Sequence, residues 1–201
     1  MSPTAHDPVP GPGLRRGEDG ILRCAWAGSA PEYLGYHDEE WGRPVRGEQA
    51  LFERITLEAF QSGLSWLTIL RKRAAFRAAF ADFDPDVVAG FGAGDRARLL
   101  ADPAIVRNQA KIAATVTNAR AVVALRDGEG LDALVWRHRP PQHRRPATPA
   151  ELASSTVESA ALARTLKAQG FVFVGPTTAY AAMQACGLVD DHLLGCHRSL
   201  G

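Results

Sequence analysis

Apolar residues recur at intervals of three and four along most of this chain, and that spacing predicts helices. Leu51, Ile55 and Ala59 share one face, with Gly63 placed to end their helix and Ser65 to cap the next, WLTILRKRAAFRAAF. Asp84-Pro85 and Asp102-Pro103 each pair a capping side chain with a proline suited to a first helical turn. Ile112, Val116, Ala119 and Val123 recur on a stretch without Gly or Pro, which predicts a helix over about 109–125. Leu162 and Leu166 mark another helix, closed by Gly170, and 177–186 a last one, closed by Gly187. RPPQHRRPATP at 139–149 reads as a loop. FVFV at 171–174 is strand-like but too short and solitary to build a sheet. The pattern predicts an all-α fold, a compact bundle of short helices.

The first twenty residues, MSPTAHDPVPGPGLRRGEDG, are rich in Pro and Gly and carry almost no apolar pattern. They predict a disordered tail over 1–20, followed by a single domain over 21–201. Composition adds little: of 201 residues, 46% are apolar and 22% charged, as in ordinary globular proteins. No apolar run approaches the roughly 20 residues that span a bilayer. The N-terminus carries no apolar export segment. The expectation is a cytoplasmic monomer without a membrane partner. The net charge of +1 lacks the basic excess common among nucleic-acid binders. Arg71, Lys72 and Arg73 form one basic cluster, and Arg137, Arg139, Arg144 and Arg145 another. The plain reading of both is solvated faces.

Three cysteines in a reducing compartment argue against a disulfide framework. His192 precedes Cys196 by four residues, which places both on one face of a helical turn, and twelve residues separate Cys24 from His37. Two nitrogen and two sulfur ligands suit one tetrahedral, structural Zn2+ stapling the N- and C-terminal segments. Two buried cysteines and two ordinary histidines are the alternative, and spacing leaves both open. Cys186 lies in an apolar helical stretch and reads as core. Glu58 falls on the apolar stripe of its helix, three residues after Ile55. An inward carboxylate without a partner usually signals function or an ion pair. Trp66 follows closely, and Tyr36 immediately precedes His37. Aromatic rings with one carboxylate suit a flat, cationic, hydrogen-bond-donating ligand. Taken singly, Tyr36, Trp41 and Trp66 read as core aromatics.

Together, RCAWAG…YLGYHDEEWGRP, LFERITLEAFQSGLSWLTIL, FDPDVVA and GFVFVGPTTAYAAMQACGLVDDHLLGC resemble DNA-3-methyladenine glycosylase I. That family is the zinc-containing branch of the helix-hairpin-helix DNA repair glycosylases. The resemblance spans 22–197. It implies hydrolysis of the N-glycosidic bond of 3-methyladenine in alkylated double-stranded DNA, by base flipping and without lyase activity. Cys24, His37, His192 and Cys196 match the family's zinc ligands. Glu58, the catalytic candidate, matches a base-holding residue together with Tyr36 and Trp66, and Trp41 belongs to the same block. The hairpin would lie in DPAIVRNQAKI (102–112), with Ala104, Ile105, Val106, Arg107 and Asn108 as the DNA-contacting residues. Ala104 and Ala110 stand where such hairpins usually carry glycine. Related branches place an aspartate downstream of the hairpin. Asp127 lies at that distance, although this family does not rely on one. The chemistry fits a site without a strong acid, because the methylated base is cationic and leaves as a neutral molecule. Two rivals follow from the same residues. A non-enzymatic zinc-stapled module would show Glu58 salt-bridged to an arginine and no pocket beside Trp66. A zinc hydrolase would keep one metal position open.

Overall fold

A computed structural model describes residues 11–198. Its elements are helical apart from one small hairpin, β1 (Leu14–Arg16) paired antiparallel with β2 (Leu22–Cys24), Leu14 facing Cys24. The disorder expected over 1–20 therefore does not extend to 14–16, and residues 1–10 lie outside the described residues. Local sequence hides this strand because what it packs on is remote. Leu14 joins Trp26 against a small core of Cys24, Leu193 and Cys196. Gly13 is needed there, since a Cβ would sit 2.3 Å from the Pro149 ring. The run 171–174 forms no strand. Phe171 and Val174 are buried, and the Val172 backbone is satisfied by Asn118 instead, its N–H donating at 2.8 Å and its carbonyl accepting at 3.1 Å.

The helices are α1 (Pro31–Gly35), α2 (Glu48–Gln61), α3 (Trp66–Ala79), α4 (Pro85–Ala89), α5 (Ala93–Ala101), α6 (Gln109–Ala124), α7 (Gly130–Trp136), α8 (Val157–Ala168) and α9 (Pro176–Ala185). Most of the expected punctuation holds. Ser65 caps α3 by accepting from Thr68 N–H, and Asp84 caps α4 by accepting from Asp86 N–H. Gly63, Gly170 and Gly187 all adopt the positive φ of helix-ending turns. The Asp102-Pro103 pair behaves differently. Asp102 closes α5, and its carboxylate accepts from Ala104 N–H at 2.8 Å, turning the chain toward α6. Asn108 supplies the real N-cap, accepting from Lys111 N–H at 3.0 Å.

α2 is the central helix, with α3, α6, α7 and α9 packed around it. Leu51, Phe52, Leu57 and Phe60 are fully buried, and Phe60, Phe76, Phe80 and Phe83 continue the core as a chain of ring contacts. The basic clusters are not merely solvated faces. Arg145 donates to the carbonyls of His192, Leu193 and Arg198, which ties the loop after α7 to the C-terminal segment. Lys72 donates to the carbonyls of Pro103 and Ala104, and Arg71 and Arg73 pair with Glu32 and Glu40.

Lys111 is the clearest polar device within the core. It is 7% exposed, and its ammonium donates to the carbonyls of Phe60 and Ser62 at the C-terminal end of α2, where the helix dipole favours a cation. Lys111→Met keeps the buried stem but leaves both carbonyls unpaired. The expected cost is about 1.5–3 kcal/mol, read as a lower denaturation midpoint at unchanged m-value.

Candidate active site

The site begins with an irregular stretch between β2 and α2. After Cys24 the chain makes a 3-10 turn, Ala25–Gly28, which carries Trp26, and then α1. One turn of π-helix, Tyr36–Glu40, follows, closed by a Trp41 N–H bond to Tyr36 O of 2.8 Å. Such wide turns re-aim neighbouring side chains and often occur at functional sites. Here they send three consecutive features to different places. Tyr36 lines a cavity, His37 enters the junction between the chain ends, and Glu40 is gripped by Arg54 of α2 and Arg73 of α3. Burial alone would raise the Glu40 carboxyl, but hydrogen bonds from Arg73 and Arg54 outweigh it and hold the group at about 2.

That clamp decides the state of Glu58. Arg54 lies one turn earlier on α2 and its charge acts on Glu58, yet its Nη2 donates to Glu40 at 2.9 Å and its Nη1 is buried without a hydrogen-bond partner. Glu58 is 6% exposed and makes no ion pair among the described residues. Burial pushes its carboxyl up to about 8, only partly offset by the positive field of Arg54. Its side chain opens on a cavity of about 380 Å³, a size common for small-molecule sites, lined also by Trp26, Tyr33, Tyr36, Trp41, Gln61, Trp66 and Gln184. Tyr36 and Trp66 meet at the cavity with ring centroids 5.4 Å apart and planes tilted by 46°. The indole N–H of Trp66 is buried without a partner. The arrangement can take a flat, electron-poor ring between aromatic walls and offer it one carboxyl.

Beside the cavity the two chain ends meet. Cys24, His37 and Cys196 bring their ligand atoms within 4.8 Å of one another, in burial. Leu193 N–H points at Cys24 Sγ from 3.4 Å, and Cys196 Sγ lies 3.4 Å from His37 Nε2. A hydrogen bond from Cys24, together with His37, holds the Cys196 thiol well below its usual range, and the same sharing pushes Cys24 up. His192 stands outside that trio, with its ring centroid 4.9 Å from that of His37. The segment is not the helical turn that would have put His192 and Cys196 on one face; a Cys196 N–H bond to Leu193 O and Gly195 at φ +92° turn the chain instead. Trp26 and Trp41 belong to both places. They line the cavity, and their rings touch His37 and His192, with centroids 5.1 and 4.6 Å apart respectively.

The structure thus gathers Tyr36, Trp41, Glu58 and Trp66 in one cavity and the four Cys and His candidates at one junction. Asp127 is exposed at the end of α6 and does not line the cavity. In the loop before α6, Ala104, Arg107 and Asn108 are exposed, whereas Ile105 is buried and can offer only its backbone. Cys186 is core, as expected. Trp26, Tyr33, Gln61 and Gln184 escaped the sequence reading. Tyr33 precedes Tyr36 by one helical turn, and that spacing could have found it. Nothing local marks Gln184.

The fold and site define a small helical protein with an aromatic cavity beside an unpaired, buried carboxyl. Comparison with known proteins sharpens this class. A model of the methyladenine glycosylase family matches residues 26–199. DNA-3-methyladenine glycosylase 1 of Escherichia coli K12 is 46% identical over 177 residues, covering 87% of this chain and 95% of that protein. DNA-3-methyladenine glycosylase of Haemophilus influenzae is 43% identical over 178 residues, covering 87% and 96%. A crystal structure of a 3-methyladenine DNA glycosylase I superposes with a TM-score of 0.84 at 46% identity, covering 87% of this chain and 98% of that one. A variant of such an enzyme solved in complex with 3-methyladenine gives 0.82 at 34% identity, covering 87% and 96%. The chain belongs to the methyladenine glycosylase family, hydrolases that act on N-glycosyl bonds.

The raised Glu58 carboxyl has a consequence for stability. Its folded value of about 8 lies above the ordinary 4.5, so between those values the folded protein holds a proton that the unfolded chain releases. Stability from this group is greatest at low pH and is lost as pH rises through that window. Glu58→Gln removes the loss. The variant's stability should exceed that of the wild type increasingly from about pH 5 to about pH 8.5, reaching roughly a few kcal/mol and read as a widening gap in melting temperature. Parallel profiles would show that Glu58 is ionised at no cost.

Proposed function

We propose that this chain releases 3-methyladenine from alkylated double-stranded DNA by hydrolysing the N-glycosidic bond, with the lesion flipped into the aromatic cavity. The observation that carries the reading is the Glu58 carboxyl, buried in a ring-lined cavity while Arg54 donates to Glu40. That is the reverse of what a merely structural Glu58 would require. The relative solved with 3-methyladenine supports the same choice of ligand.

The methylated base carries a positive charge, and its bond to the sugar is already weak. The protein therefore needs to find, extrude and grip the lesion more than to force the bond. Tyr36 and Trp66 stack on the cationic ring. Glu58 releases its proton to solvent as the cation enters and accepts a hydrogen bond from the exocyclic amine, a charge-assisted contact. Unmodified adenine is neutral and would repay its unstacking poorly. Departure of the neutral base leaves the sugar cation to water. None of the lining residues carries an amine that could trap the sugar, and the reaction is read as monofunctional. The exposed loop between α5 and α6, through Ala104, Val106, Arg107 and Asn108 and the backbone of Ile105, serves as the hairpin that meets the phosphates. Residues 21–201 act as one unit, as a monomer, and the DNA substrate puts the protein in the cytoplasm.

The junction residues fit a zinc ion. His192 gives its Nδ1 to Asp190 at 2.7 Å, while its Nε2 is buried without a partner, the state of a histidine prepared to ligate. Cys24, His37, His192 and Cys196 would hold the ion and leave no position open for water, so the metal would supply fold stability and no catalytic step. Cys196→Ser is expected to lower the bound zinc, measured by atomic absorption, and the melting temperature together. Full metal content at reduced stability would separate the cysteine from the metal.

The decisive experiment compares base release from methylated and unmethylated duplexes. Glu58→Leu should keep or raise the melting temperature while weakening lesion recognition by about 1.5–3 kcal/mol, one charge-assisted hydrogen bond. Trp66→Ala should lose about 1–3 kcal/mol of stacking and some packing besides. Both should retain measurable release because the lesion is labile. Wild-type activity in Glu58→Leu, or collapse of its fold, would overturn the assignment.

A further inference from the structure

Gln184 and Asp191 lie beside the groups already assigned, and their hydrogen bonds have a definite polarity. Asp191 is 4% exposed and accepts from two donors, the Tyr180 hydroxyl at 2.7 Å and the Gln184 amide nitrogen at 2.6 Å, with His143 Nε2 lying 3.0 Å from its other oxygen. Without those donors, a carboxylate so deeply placed would be costly. A carboxylate only accepts, so the NH2 end of the Gln184 amide must face it, which removes the usual ambiguity of an amide side chain. The amide oxygen is therefore held on the side away from Asp191. Gln184 also lines the cavity, one helical turn after Ala181, as does Glu58.

We infer that Gln184 is a specificity-determining residue that presents a fixed acceptor to the exocyclic amine of adenine, and that Asp191 is the positioning residue that sets its direction. The inference rests on the base-release reading above and adds the choice between purines. 3-Methyladenine and 3-methylguanine are both cationic, labile and nearly equal in size, so stacking on Tyr36 and Trp66 treats them alike. At C6 adenine carries an amine donor and guanine a carbonyl acceptor, and guanine adds an amine at C2. An oxygen that cannot rotate away welcomes the first and opposes the second. A freely turning glutamine would offer its NH2 to guanine instead. Asp191, which does not line the cavity, thus adds through Gln184 to the discrimination that the Glu58 carboxyl begins.

The test measures kcat/KM for release of each base from duplex DNA methylated with dimethyl sulfate. Gln184→Leu and the unbranched Gln184→Met remove the acceptor while conserving volume, and either one suffices if the other folds poorly. The expected result is about a tenfold fall for 3-methyladenine with little change for 3-methylguanine, so that the ratio narrows. Asp191→Ala frees the amide and should narrow the ratio as well, through gained 3-methylguanine release. A purely structural role would lower both substrates in parallel with the melting temperature, leaving the ratio unchanged, and that result overturns the inference. Release of neither base by the wild-type protein would instead defeat the base-release reading, leaving Gln184 with no base to choose.

Discussion

The meeting of the two chain ends is the constraint on which the rest of this molecule depends. Cys24 and His37 enter from the N-terminal hairpin and π-turn, and His192 and Cys196 from the segment after α9. Direct polar contacts already bind them, including the His197 N–H bond to Leu22 O of 2.8 Å, and Arg145 clamps three carbonyls of the returning segment. The consequence for the site is mechanical. Trp26 and Trp41 form one wall of the cavity and rest on the histidines of the junction, so the wall keeps its shape only while the ends stay together.

The second organising fact is how charge has been distributed around α2. Arg54 and Arg73 converge on Glu40, which leaves the Glu58 carboxyl without an ion pair among the described residues and the Arg54 Nη1 buried without a hydrogen-bond partner. An isolated carboxyl in a dry site costs stability, and the fold carries that cost at the place where a cationic ligand would repay it. The same helix ends on Lys111, which anchors the last carbonyls before the turn to Trp66. Both walls of the cavity are therefore held by polar contacts outside it. The cavity itself is left with few fixed partners, as a site for a flat ring requires.

A weak glycosidic bond changes what an enzyme of this family must provide. Acid strength matters less than recognition in the reading proposed above, and the cavity offers aromatic rings, one carboxyl and one amide held by Asp191. Asp127 lies exposed on another part of the surface, and nothing in the chemistry calls for it.

Helix positions were legible in the sequence because capping, glycine stops and apolar spacing act over a few residues. Ser65, Asp84, Gly63, Gly170 and Gly187 all do locally what their types allow. The cysteines and histidines at the two ends, and Glu58 on an apolar stripe, were legible because each residue type is costly in its position unless it has a task. The tertiary structure decided what depends on distant partners. Leu14–Arg16 became a strand because Leu22–Cys24 and the C-terminal segment cover it, and Asp102 closed a helix where its spacing promised to open one. Arg145 and Lys72 look solvated in sequence, yet each serves carbonyls about thirty residues away or more. Gln184 is an unmarked polar residue on α9 until Asp191 fixes its amide and Glu58 shares its cavity. Local rules set where the chain coils, but an oriented polar group needs a partner, and only the closed fold brings that partner within hydrogen-bond reach.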